Sequence, residues 1–236
     1  MSALEQLLVV QELDTTLDQL RHRRRTLPER AARDAAAADV AADTAAREQI
    51  AARLHELRRE QKECEDHATL LEDKAREVQA TMYDGSVVAH KELESLQLEQ
   101  ASLHDRQTGF EDRALELMEA AEPVEAELAA ADAALVQANT ALDEAEARLT
   151  VAVAELDVQV SDVEAARTAA AAEVPAGLLE QYEPLRAGLG VAVARLVGAR
   201  CEGCHLEIPS AQLEGLRRAP EDEAVHCPEC MRILVR

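Results

Sequence analysis

The sequence predicts a mainly α fold: a long antiparallel coiled-coil helical hairpin followed by a small C-terminal β module. Three observations predict it. Apolar residues recur every 3.5 residues from about His90 to Ala172, an Asp-Gly turn signal precedes that stretch, and two C-x2-C pairs stand near the C-terminus. Composition agrees. Charged residues make up 31%, aromatics only 1%, and Trp is absent, so the chain lacks the large rings of a spherical core.

The repeat is clearest from Leu93. Alternating steps of three and four pass through Leu93, Leu96, Leu103, Phe110 and Leu117 and run on to Leu149, Leu156 and Val163, and 20 of the 23 positions up to Ala170 are apolar. A 3.5-residue period kept this long imposes a left-handed supercoil, because otherwise the stripe drifts off its partner. At 1.5 Å per residue the helix is on the order of 120 Å long. Such a stripe can be buried only against another helix.

The preceding sequence supplies that helix. Residues 3–27 carry the stripe Val10, Leu13, Leu17, Leu20 and Leu27 and finish in Arg21-His22-Arg23-Arg24-Arg25, read as a solvated face that offsets the acidity opposite. Pro28 marks a kink or break, since proline is accepted in a first helical turn and rejected inside a helix. An alanine-rich stretch, 29–49, is followed by a regular stripe from Ile50 to Met82. Cys64 falls on that stripe and is read as a small hydrophobe. Tyr83-Asp84-Gly85-Ser86 then forms the turn, with Gly85 at positive φ and Ser86 as cap of the next helix.

A reversal near Gly85 sets position i beside roughly 170 minus i. Ala31–Ala46 then face Ala129–Ala134, and Leu13–Leu20 face Leu149–Leu156, small against small and large against large. This match favours an intramolecular hairpin, and hence a monomer, over a long dimer. The expected organisation is a hairpin over 1–173, with arms of about 3–82 and 87–172 and a turn at 83–86. A connecting helix and ribbon follow over 174–236.

Beyond Ala172, Pro175 and Gly177 break the helix. A short helix is expected around Gly177–Ala187, with Tyr182 packing on the base of the hairpin, and a strand over Val191–Val197. Cys201-Glu202-Gly203-Cys204 and Cys227-Pro228-Glu229-Cys230 then stand 22 residues apart, with a helix expected over Ser210–Arg218 between them. Each pair can present two thiolates from one knuckle, and two knuckles complete a tetrahedron around one structural Zn²⁺. The ligands expected are Cys201, Cys204, Cys227 and Cys230; His205 and His226 adjoin them as substitutes. Disulfides would need an oxidising compartment, and four cysteines leave no open position for catalysis.

The net charge is −22, of which −20 falls in residues 1–173. Such an arm repels nucleic acid phosphates. The ribbon is more balanced, and Arg200, Arg217, Arg218 and Arg232 are its candidate nucleic-acid contacts, although no aromatic is present there to stack on a base. At the hairpin tip, Met82, Tyr83, Val87, Val88 and Lys91 are the candidate partner-binding residues. Met1-Ser2-Ala3-Leu4-Glu5-Gln6 has no basic leader and no apolar run of about 18 residues follows, so a cytoplasmic chain without membrane contact is expected.

A coiled-coil hairpin followed by a C4 zinc ribbon resembles a bacterial family of that architecture, over nearly the whole chain. Its local matches are Gly85-Ser86-Val87-Val88-Ala89-His90-Lys91-Glu92-Leu93 at the tip and Cys227-Pro228-Glu229-Cys230-Met231-Arg232-Ile233-Leu234 at the end. The family tip reads T-N-P-K-E; here Lys91-Glu92 follows Val88-Ala89-His90. The family's last knuckle continues Gly-Arg-Ile-Leu, and Met231 replaces the glycine. Relatives in some flagellated bacteria are linked to σ54, flagellar export components and messenger RNA, so the resemblance implies an adaptor.

No nucleophile–base set, phosphate loop or open metal position is visible, so no enzymatic activity is expected. The reading is a zinc-binding adaptor with protein partners. The alternative is a regulator that binds RNA or DNA through the ribbon.

Overall fold

The computed structural model describes residues 2–85, 88–220 and 223–236. The expected cap Ser86 and the tip residue Val87 lie outside them, as do Glu221 and Asp222. Five helices and four short strands are described: α1 (Ala3–Arg25), α2 (Pro28–Tyr83), α3 (His90–Ala172), α4 (Ala176–Leu189), β1 (Val193–Val197), β2 (Arg200–Cys201), α5 (Ser210–Arg218), β3 (Val225–His226) and β4 (Ile233–Val235). They form a helical hairpin with a zinc-ribbon module, organised as two compact units. One comprises residues 1–31 and 146–236, the other residues 32–145.

The first arm is two helices, because Pro28 takes the opening position of α2 where its missing N–H costs nothing. α1 begins with a capping box: Ser2 Oγ accepts from the Glu5 N–H at 3.2 Å and Glu5 Oε2 accepts from the Ser2 N–H at 2.9 Å. Tyr83 completes α2, and α3 starts at His90 rather than at 87, with the Ala89 carbonyl accepting from the Glu92 and Leu93 N–H groups. Pro123 lies within α3.

In the 32–145 unit, α2 and α3 run antiparallel. Leu54, Ala121 and Val124 form its buried centre, with Ile50, Leu57 and Leu128 packed around them. Nearer the tip, His67 stacks on Phe110 with ring centroids 5.0 Å apart. Arg58 pairs with Glu125 at 2.8 Å, and Arg47 pairs with Asp132. This pairing lies about a heptad further along α3 than a reversal centred on Gly85 gives. The reason is degeneracy: a shift of seven returns every seam residue to the seam, so the period is blind to it. Alanine still meets alanine after the shift, but Ala36 and Ala42 lie beside Ala134, Ala138 and Ala141 rather than across from the Ala129–Ala134 cluster as a whole. The leucine match does not survive it.

In the other unit, Arg24 grips Asp157 through Nε at 2.6 Å and Nη2 at 3.2 Å, and Arg21 reaches Glu164 at 2.8 Å. Arg167 bonds Asp14. Leu13–Leu20 therefore lie beside the stretch around Glu164 rather than Leu149–Leu156. Arg21 and Arg24 answer the acidic arm, as expected of the cluster. Being half exposed, such pairs contribute about 0–1 kcal/mol each and serve register more than stability.

The core of this unit joins α1, α4 and the ribbon sheet. Leu4, Leu7, Leu8 and Val10 pack with Val174, Leu178, Tyr182, Val193, Ile233 and Val235. Tyr182 is fully buried, and its hydroxyl donates to Asp14 Oδ2 at 2.7 Å. The sheet order is β2-β1-β4-β3, with β1 parallel to β4 and the other pairs antiparallel. β1 starts at Val193, two residues later than expected.

Candidate metal centre

The two knuckles are copies of one local structure. In the first, the Cys201 carbonyl accepts from the His205 N–H at 2.8 Å, and the Cys201 N–H donates to Leu206 O at 3.1 Å. In the second, the Cys227 carbonyl accepts from the Met231 N–H at 2.9 Å, and the Cys227 N–H donates to Arg232 O at 2.8 Å. Closing each loop this way drives its fifth residue into the left-handed region, φ 63° at His205 and 60° at Met231. Met231 bears a strain that a glycine at this position would not. Backbone N–H groups then point at sulfur: Gly203 and Cys204 toward Cys201, and Glu229 and Cys230 toward Cys227.

The four Sγ atoms lie within 4.8 Å of one another. Cys201 Sγ is 3.9 Å from Cys230 Sγ, and Cys204 Sγ is 3.9 Å from Cys227 Sγ. A disulfide requires about 2.05 Å. A tetrahedron with Zn–S bonds of about 2.3 Å has edges of about 3.8 Å, so the spacing fits one zinc ion. Among the described residues the donor set is these four cysteines, without His205 or His226. Cys201 and Cys227 are buried and the other two half-buried.

Burial raises the Cys201 thiol and pushes the Cys227 thiol up to about 12, against the pull of the backbone N–H groups. Burial also opposes ionisation of Cys230. There the Arg232 backbone N–H and guanidinium, with the neighbouring thiols, prevail and lower it to about 7. Four thiolates would close the coordination shell of a bound zinc ion, tying the two knuckles together. Bound metal adds to the folding free energy of so small a module.

The ribbon arginines are mostly committed elsewhere. Arg217 donates to Gly198 O at 2.9 Å, Arg232 to Val191 O at 2.9 Å, and Arg236 to Leu216 O and Ala219 O. Arg218 pairs with Glu214. Arg200 is exposed on β2. At the tip, Tyr83 is 79% and Val88 92% exposed, Lys91 is exposed and Met82 half-buried.

Two groups that hold this unit together escape a reading of the sequence. Gln11 is buried at the junction of α1 and β1. Its Oε1 accepts from the Ala192 N–H at 2.7 Å and the Val193 N–H at 2.6 Å, and its Nε2 donates to Val193 O at 2.8 Å. Asp14 receives both Tyr182 and Arg167. The available signal was a lone glutamine within the apolar face of Leu4, Leu7, Leu8 and Val10. No helix described is long and apolar enough to cross a membrane.

Comparison with known proteins agrees with this architecture. The chain is 34% identical over 232 residues to an uncharacterised protein of Mycobacterium tuberculosis, covering 98% of this chain and 94% of that one. A solved structure from Mycobacterium smegmatis superposes with a TM-score of 0.73 at 28% identity, covering 100% of both chains. The CT398 structure from Chlamydia trachomatis gives 0.56 at 19% identity, covering 99% of this chain and 97% of its own. At that identity the likeness speaks to fold alone. Residues 200–234 match the C4-type zinc ribbon domain, and residues 10–190 match the coiled-coil hairpin model. The chain therefore belongs to the CT398-like coiled-coil hairpin family, with a C4 zinc ribbon at its C-terminal end.

Proposed function

We propose that this protein is a non-enzymatic, cytoplasmic adaptor that binds a protein partner through the hairpin tip, with the zinc ribbon as a structural module. The observation that carries this reading is the exposure of Tyr83 and Val88, at 79% and 92%, in a chain with only three aromatic residues. Its other two aromatics are spent on packing: Tyr182 in the core and Phe110 against His67. An exposed ring and an exposed valine five residues apart in the chain, with a half-buried methionine and Lys91 close by in sequence, are the residue types of an apolar anchor with a polar rim. The closed shell of four cysteines supports a structural role for the metal.

The test is site-specific photo-crosslinking in cells from position 88, with and without Tyr83→Ser. A crosslinked protein of defined mass that disappears in the Tyr83→Ser background supports the reading. Crosslinking no different from that at position 136, an exposed valine of α3 far along the chain, would refute it.

Nucleic-acid binding through the ribbon is the weaker reading. Arg217 and Arg232 already serve main-chain carbonyls and Arg218 serves Glu214, which leaves Arg200 as the candidate without such a bond among the described residues. Salt-dependent RNA binding lost in Arg200→Ala would reverse this preference.

A further inference from the structure

Arg232 touches every part of the ribbon that zinc organises. Its carbonyl accepts from the Cys227 N–H, which closes the second knuckle. It follows the ligand Cys230 by two residues, on the far side of Met231. Its stem crosses the first knuckle so closely that a Cβ on Gly203 would lie 2.6 Å from Cδ. Its Nε donates to Val191 O at 2.9 Å, on the segment just before β1. The next two residues, Ala192 and Val193, are those whose N–H groups Gln11 of α1 accepts. One side chain thus runs from the second knuckle, over Gly203 of the first, to the backbone on which α1 is seated.

We propose that Arg232 is a positioning residue that couples zinc occupancy to the seating of α1 on the ribbon sheet. A Zn²⁺ ion with four thiolates would carry a formal charge of −2, and the Arg232 side chain, lying over Gly203 of the first knuckle, is a positive charge set against it. The planar guanidinium gives the Val191 carbonyl a donor of fixed direction, which a freely rotating ammonium does less well. Gly203 is the complementary device, since any side chain there would expel the Arg232 stem. When the metal is removed, the two knuckles are no longer tied together, the Arg232 stem loses its seat over Gly203, Val191 is released, and the Gln11 contact loosens in turn. The coupling needs zinc at the site and is independent of the adaptor reading.

The test uses the full-length, zinc-loaded protein and Arg232→Met, which keeps an apolar stem over Gly203. Two changes are expected in the variant. Zinc passes to an added chelator about tenfold faster or more, the usual scale for loss of a partner to a metal ligand. The Ala192 and Val193 amides exchange with solvent about tenfold faster, while the Ile208 and Leu213 amides, bonded within the other side of the ribbon, are unchanged. Wild-type exchange at Ala192 and Val193 in a zinc-loaded variant would overturn the proposal. Should Arg232→Met fail to fold, the unmodified protein decides. Its Arg232 Nε–H should be protected from exchange and should shift when Cd²⁺ replaces Zn²⁺, whereas the exposed Arg195 should do neither. An Arg232 signal that behaves like that of Arg195 would refute the coupling.

Discussion

Gln11 offers the sharpest quantitative prediction. Replacing it with alanine removes three hydrogen bonds at once and leaves the Ala192 N–H, the Val193 N–H and the Val193 carbonyl without their partner, in a buried site. Each orphaned backbone group costs about 1–3 kcal/mol. Water entering the space left by the side chain will satisfy part of that, so the lower end, about 3 kcal/mol for the three, is the working figure. One factor of ten corresponds to about 1.4 kcal/mol, so protection of the Ala192 and Val193 amides should fall roughly 150-fold. Native-state hydrogen exchange measures this residue by residue and needs no two-state unfolding, which matters in a chain organised as two units. Gln11→Glu gives an internal control. Its carboxylate can still accept both N–H groups but faces Val193 O with no donor, so it should lose protection as well. A fall of less than threefold in Gln11→Ala would mean that solvent or a neighbour serves these groups, and the account of how α1 is held would be wrong.

Three further outcomes follow from the same geometry. Met231→Gly should stabilise the zinc-loaded ribbon by about 1 kcal/mol, because it removes the left-handed strain at φ 60°; Gly203→Ala should destabilise it, since its Cβ would meet Arg232 and Ala194; paired thermal melts compare the two. Tyr182 is raised above the ordinary tyrosine range by burial and by its bond to Asp14, so its contribution is whole below about pH 10. It is lost as pH rises further, because the unfolded phenol ionises first; melting temperature followed from pH 8 to 11 should fall more steeply than in Tyr182→Phe. Zinc binding must displace protons from at least Cys201 and Cys227, both raised by burial. Affinity should therefore climb by at least about 100-fold per pH unit between pH 7 and 8, as a competition titration with a metal indicator would read, and a slope near zero would contradict the burial of these thiols.

Much of this protein is written in local sequence. The 3.5 period, Pro28, the Asp84-Gly85 reversal and the two C-x2-C pairs each act through near neighbours. A stripe must find a partner, a proline cannot donate, and two knuckles need only their own backbone to present thiolates. Register, by contrast, was open to an error of one heptad, because every seam position recurs at seven; ion pairs such as Arg24 with Asp157 and the packing of Leu54 on Val124 decide it. Nor could the sequence say that Gln11 would meet β1 some 180 residues later, or that Arg232 would serve Val191 rather than a phosphate. Those partners are distant in the chain and share no period. Only the folded base, where burial forces each polar group to find a bond, could assign them.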